Sequence, residues 1–433
     1  MNISKKLIFV SVALSLFTAC EDDTSRIAIT QKISNVSSVG YIYHGENGNR
    51  LVNGVGDFQN ISPMEISLAS SATWLVAATF NDSSIWAAVL ENGSVNAFLV
   101  KNQTIQEIPI TPNSVSPGTQ PTLAISNNGD ATLANVFENA SPDASTIIVD
   151  NATSTRAYIS NQGQLILKTN DSEESLAVNA LNYSRILKDN KSRLLVLSDP
   201  TLSYTHQVLG RKFQNAAAIS LIETQPEFRL IKKISIGSPD VIEGNALIWM
   251  DVDGDDDDEI ITTLSNSTGG ARIVIFSEEG DVLSSGTPIG TNRRWRHQLA
   301  VAPFNTPTEL LLSSIYIPHL GPVLEYFRLD DLSLSRFNTQ SIIDYTSHYQ
   351  IALNLDMSLA GDFDSDGAIE TLLLDKNTKS ELAAWEYQNG NIKKDWTLPL
   401  SDKISSNLAA TTLSNGRIAL GVGLENKLLI WQN

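Results

Sequence analysis

Asp251-Val252-Asp253-Gly254-Asp255-Asp256-Asp257-Asp258-Glu259 and Asp362-Phe363-Asp364-Ser365-Asp366-Gly367-Ala368-Ile369-Glu370 decide the reading of this chain. Both place a carboxylate at positions 1, 3, 5 and 9. Both run directly into an apolar segment, Ile260-Ile261 in one and Leu372-Leu373-Leu374 in the other. A tightly curled backbone with that spacing aims alternate side chains at one point. Hard oxygen donors in such number suit calcium, which takes roughly 6–8 oxygens in a flexible geometry. Without a cation, the seven acids among the nine residues of the first loop repel one another. Two loops in one register favour a common metal chemistry over two unrelated solvated turns.

An EF-hand is excluded by the same residues. That motif needs a bidentate Glu at position 12 and a helix on each side. Here the last acid comes at position 9, and the segment after it is short, apolar and strand-like. On these residues the chain resembles the FG-GAP/VCBS repeats of integrin-α-like β-propellers, whose loops read D-x-D-x-D-G-x-x-D before a strand. The resemblance implies two calcium sites. Asp251, Asp253, Asp255 and Glu259 would ligate one ion with the Asp257 carbonyl, and Asp362, Asp364, Asp366 and Glu370 the other with the Ala368 carbonyl. Both loops depart from the pattern by ending in Glu. The first also carries Asp256 where the family prefers Gly, whereas Gly367 keeps that position in the second. The second site is therefore expected to be the better formed.

The two loops start 111 residues apart, close to two repeats of the ~50 residues of a propeller blade. A further unit should lie between them. Leu299 to Asn305 and Thr308 to Leu312 echo the strands around the second loop, with the loop shortened and its acids mostly gone. Ile186 to Leu197 fits another degenerate unit. Asn92-Gly93, Asn128-Gly129, Gln162-Gly163, Glu279-Gly280, Asn389-Gly390 and Asn415-Gly416 sit between apolar or alternating runs, as tight hairpin turns do. No long helical periodicity appears. These signals divide the chain into units near 73–115, 116–172, 173–228, 229–291, 292–340 and 341–401, best defined over 229–401. The last piece, 402–433, is too short for a blade, and residues 27–70 supply its missing strands. The expectation is an all-β, seven-bladed β-propeller, with eight blades as the alternative, closed by an N-terminal strand that completes the last blade. Closure protects sheet edges that an open array would expose.

Residues 1–19 read as an export signal: Lys5 and Lys6, an apolar stretch from Leu7 to Phe17 too short to span a bilayer, then Thr18-Ala19 before Cys20. This resembles a bacterial lipoprotein signal, which implies that Cys20 is lipidated and that 20–26 form a tether to the propeller at 27–433. An ordinary secretory signal with an incidental cysteine is the alternative. Cys20 is the single cysteine of the 433 residues, so the body has neither disulfide nor thiol nucleophile. The resulting expectation is attachment to the bacterial envelope, at the outer membrane or cell surface in preference to the inner membrane. A net charge of −18 excludes a nucleic-acid footprint.

No HExxH, GxSxG or glycine-rich phosphate loop occurs, so no catalytic residue is assigned. A ligand patch is expected on the face opposite the calcium loops. It comprises Arg293, Arg294, Trp295, Arg296 and His297, with Tyr316, His319, Tyr345, His348 and Tyr349, whose arginines and aromatics suit glycans or a protein hot spot. The expected function is a lipid-anchored, calcium-stabilised module that binds an envelope or extracellular protein or a polysaccharide. The alternatives are a polysaccharide lyase or hydrolase on the same scaffold and an envelope-assembly scaffold subunit.

Overall fold

The computed structural model describes residues 33, 35–134, 138–245, 247–291, 294–329 and 334–433. The signal, Cys20, the tether and Arg293 lie outside them. Every regular element among the described residues is a strand, and no helix there is long and apolar enough to cross a membrane.

The strands fall into four-stranded groups, each curling outward from an inner strand. Blade 1 is Ala72–Phe80, Ser83–Leu90, Val95–Lys101 and Thr104–Ile108. Blade 2 takes Val36–Tyr41 as one strand and pairs it with Thr122–Ser126, followed by Ala131–Leu133 and Ile110–Thr111. Blade 3 spans 147–176 and blade 4 spans 187–235. Blade 5 spans 248–285 and is joined to blade 4 by the short strand Val241–Ile242. Blade 6 spans 296–341 and blade 7 spans 359–399. Blade 8 is Ile404–Thr412, Ile418–Leu424 and Lys427–Trp431, with Met64–Ser67 as its outer strand.

Among the described residues the groups number eight, the larger of the two counts read from the sequence. The stretch at 116–172 contains strands of two of them, because blade 2 borrows a strand from 36–41.

Packing between faces closes the ring. Val76 and Ile85 share a core cluster with Leu123 and Ile125 of blade 2, and Val36 and Ala124 share one with Ile148 of blade 3. Leu165 shares a cluster with Leu194, Ile219 with Trp249, and Ile275 with Val301 across the next three junctions. Tyr326 shares one with Leu373, Leu382 with Leu420, and Ile430 with Trp86 across the last three. Burial falls outward within a blade as this demands. Ser83–Leu90 is buried throughout, whereas Thr104–Ile108 at the rim is mostly exposed. A closed ring of this kind is a β-propeller.

The N-terminal segment locks it. After Tyr41 the chain crosses the centre and bonds successive blades. Lys188 N–H donates to the Glu46 carbonyl (2.8 Å) and Trp249 N–H to Asn47 (3.0 Å). The Asn49 side chain bridges the backbone of Val301 (2.9 and 3.0 Å), and Ala360 N–H donates to Arg50 (3.0 Å). The chain then leaves to complete blade 8. The six turn glycines expected from sequence, Gly93, Gly129, Gly163, Gly280, Gly390 and Gly416, all have φ between 75° and 92°, conformations that glycine enters without steric cost.

Candidate metal loops and a histidine-lined cavity

The two acidic loops have the same shape. Positions 4 and 6 are left-handed in both: Gly254 (85°) and Asp256 (72°) in one, Ser365 (70°) and Gly367 (89°) in the other. Aspartate is among the few non-glycine residues that enter this region readily, so Asp256 preserves the curl. The hydrogen bonds correspond pair by pair. Gly254 N–H donates to Asp251 (2.6 Å) and Ser365 N–H to Asp362 (2.7 Å). Asp257 N–H donates to Asp255 (2.9 Å) and Ala368 N–H to Asp366 (2.8 Å). At the end of each loop the glutamate reaches back to position 2, Glu259 to Val252 N–H (3.0 Å) and Glu370 to Phe363 N–H (2.7 Å). Position 9 thus acts as a staple, a task the longer Glu side chain performs.

Carboxylate oxygens of Asp362, Asp364, Asp366 and Glu370 all lie within 4.8 Å of one another, as do those of Asp251, Asp253 and Glu259. Asp255 stays outside the converging set of its loop. Glu370 is fully buried, and its Oε1 has no hydrogen-bond partner. Burial, reinforced by the neighbouring aspartates, pushes its carboxyl up to about 9, and burial pushes Glu259 up to about 7. Convergent oxygens with one buried lone-pair donor unanswered fit a hard divalent cation, and the fit is better at the second loop. In blade 6 the equivalent turn is tight, with Thr306 opposite Glu309, and carries no such cluster. In blade 4, Arg193 does part of a cation's work by bridging Asp189 (2.6 Å) and Glu278 (2.5 and 2.6 Å).

The aromatic and basic residues expected as one patch separate into several environments. Trp295, His297, His319 and His348 come together. The Trp295 indole stacks on the His297 ring at 5.0 Å, and His348 sits edge-on to Trp295, His297 and His319. Ser347 Oγ lies 2.9 Å from Nδ1 of both His297 and His348, and His348 Nε2 is 3.1 Å from His319 Nε2. Arg296 turns the other way, pairs with Glu325 (2.8 Å) and, with Tyr316, lines a separate cavity of about 310 Å³. Arg294 lies 3.4 Å from the Tyr316 hydroxyl. Tyr345 donates to Glu381 (2.7 Å) and Tyr349 to the Ile404 carbonyl (2.5 Å), so both hydroxyls are engaged within the fold.

Trp295 forms part of a second cavity, of about 220 Å³, with His206, Val208, Ile317, His319, Leu320 and Ile351 among its walls. It lies at the opposite end of the long strand Arg296–Thr306 from the metal loops. Thr308, just beyond that strand, faces Asp251, Asp253 and Asp255, and eleven strand residues span about 30 Å. Of the sixteen non-glycine residues with positive φ among those described, Ile317 and Ile351 are the β-branched ones, and both line this cavity. Such backbone costs about 1–3 kcal/mol per residue and collects at functional sites.

Sequence reading missed His206 and its partner Glu243, which meet at 2.7 Å across 37 residues, and the Arg50–Asp356–Arg185 cluster at the ring centre. No local motif signals either.

Burial holds His44 and His319 down to about 4, with Lys376 adding to the effect at His319; burial also keeps His297 and His348 well below the ordinary imidazole value. An unfolded chain protonates histidine near 6.5. Stability from the neutral His44 and His319 rings is therefore complete above pH 6.5 and is lost as pH falls through about 4. Ring-proton NMR shifts of these four histidines should stay flat from pH 8 to about 5.5, where a solvated histidine would titrate.

No protein-family model matches the chain, and no curated protein matches its sequence. Among solved structures, a europium-containing methanol dehydrogenase is similar with a TM-score of 0.53 at 8% identity, over 88% of this chain and 89% of that one. The Dos1 propeller gives a TM-score of 0.43 at 8% identity, over 86% and 95%. Identities this low extend the likeness to the fold and no further: the chain is a β-propeller.

Proposed function

We propose that this chain is a lipid-anchored, calcium-stabilised propeller that binds an envelope or extracellular protein or polysaccharide. The observation that carries the calcium part is Glu370, a buried carboxyl that converges with three aspartates and has one oxygen unanswered. One calcium would be held by Asp362, Asp364, Asp366 and Glu370, and a second by Asp251, Asp253 and Glu259. The family pattern adds the Ala368 and Asp257 carbonyls and Asp255. The ion supplies charge neutralisation and holds each loop closed, which makes its binding part of folding by linkage. The membrane anchor rests on Cys20 and the signal before it.

A closed ring locked by its own N-terminus is a rigid platform, and binding to a rigid platform loses little ordering entropy. Crosslinked pull-down from intact envelopes, using the body at residues 24–433, should retain a discrete protein or glycan. Cleavage of acidic glycans by the purified body would replace this reading with the enzymatic one.

A further inference from the structure

The cavity lined by Trp295 and His319 has a specific chemistry. Its wall is largely apolar: Val208, Ile317, Pro318, Leu320 and Ile351. Leu320 and Ile351 stand at its edge, 78% and 66% exposed, where solvated loops are ordinarily polar. Trp295 also lines it, and the Trp295 Nε1–H is buried with no acceptor.

The buried charges beside the histidine cluster do not cancel. Arg50 and Arg185 share the single carboxylate of Asp356 behind the histidine cluster, which leaves one positive charge in excess, and Arg50 Nη2 and Arg185 Nε have no acceptor. The cations felt by the cluster are Arg50 and Arg185 at His297, Arg50 at His348, and Lys376 at His319. Glu243 adjoins the wall, buried and bonded to His206, and burial raises its pKa; Asp344, Asp375 and Glu381 gather around Tyr345 nearby. In a protein of net charge −18, the excess guanidinium of this buried cluster is a local exception.

We propose that the cavity binds a carboxylate carried on a small apolar body, either a free organic acid or the C-terminal residue of a polypeptide. The His319 imidazole, which lines the cavity, would donate to the carboxylate, and the aliphatic wall would take the body. The volume of about 220 Å³ lies below the roughly 300–1,000 Å³ of sites for drug-sized ligands, which limits the buried part to one short chain or side chain. This deepens the binding role proposed above and does not depend on the calcium loops, which lie at the other end of the blades.

The test is isothermal titration of the body at residues 24–433 with hexanoate and octanoate, and with a short peptide ending in leucine. Hexanamide, octanamide and the peptide amide are the uncharged controls. The expected result is saturable binding of an acid, tighter than its amide by roughly tenfold or more. Binding of the fatty acid or of the peptide acid identifies the source. Leu320→Asp and Ile351→Asp should each weaken it by a similar factor while melting temperature and circular dichroism match the parent, since both side chains are exposed. No saturable binding of any acid, equal affinity for acid and amide, or undiminished affinity in both variants would overturn the proposal. Calcium-dependent melting reports on the other end of the molecule, so either result can fail while the other stands.

Discussion

Asp356→Ala is expected to destabilise the fold by about 3–5 kcal/mol, the usual cost of removing one partner from a buried ion pair. Asp356 accepts from Arg50 Nε at 3.0 Å and from Arg185 Nη1 at 2.7 Å, with Arg185 Nη2 on its second oxygen. All three side chains are 1–2% exposed. Arg50 belongs to the segment that crosses the ring centre, Arg185 precedes blade 4 and Asp356 precedes blade 7, so one carboxylate ties three remote parts of the chain. Burial already holds Arg50 down to about 10 and Arg185 well below its usual value, and without the carboxylate two guanidinium groups would be left in a dry interior. Denaturant unfolding should show a lower midpoint for Asp356→Ala, and Asp356→Asn should recover little because the charge is still missing. Removing the charges together, as Arg50→Met, Arg185→Met and Asp356→Leu in one chain, should recover much of the loss. A single Ala variant as stable as the parent would mean that water already solvates the cluster.

How much of this was legible in the sequence depends on how local each feature is. The metal loops and hairpin turns are local: carboxylate spacing sets the loop shape, and a glycine at the left-handed position sets the turn. Blade 2 is not local. Its strand Val36–Tyr41 and its partner Thr122–Ser126 are separated by a whole blade of chain, and nothing in either stretch names the other. The run Arg294-Trp295-Arg296-His297 reads as one basic-aromatic patch until strand geometry is applied. Successive side chains then point to opposite faces, so Trp295 and His297 join the histidine cluster while Arg296 pairs with Glu325. The buried histidine–carboxylate pair of His206 and Glu243 was invisible for the same reason as blade 2, since sequence alone cannot pair groups across blades.

Chelation should lower the melting temperature, and calcium but not magnesium should restore it. Ligand at 100 times its dissociation constant contributes about 2.7 kcal/mol per site. Two filled sites therefore contribute about 5 kcal/mol, which in a chain of this length is a shift on the order of 5–10 °C. Magnesium demands near-ideal octahedral geometry at short distance and sheds water reluctantly, conditions that a cluster of flexible carboxylates does not meet. The second loop should carry most of the effect, because four carboxylates converge there and three at the first.

Glu370→Gln tests this directly. With its pKa pushed up to about 9 by burial, Glu370 is largely protonated at neutral pH when no cation is bound. A neutral amide of the same shape is then a close substitute, able to keep the bond from Phe363 N–H. The variant should melt near the parent in chelator and lose most of the calcium response. A variant that melts far below the parent in chelator yet keeps its calcium response would make Glu370 a core hydrogen-bonding residue and remove the second site. Glu259→Gln should cost a smaller part of the response, because burial raises Glu259 only to about 7 and fewer carboxylates converge with it. The order of the two effects, more than either alone, distinguishes a cation held by converging oxygens from a general response of an acidic protein to divalent salt, since a general response would be indifferent to which glutamate is removed.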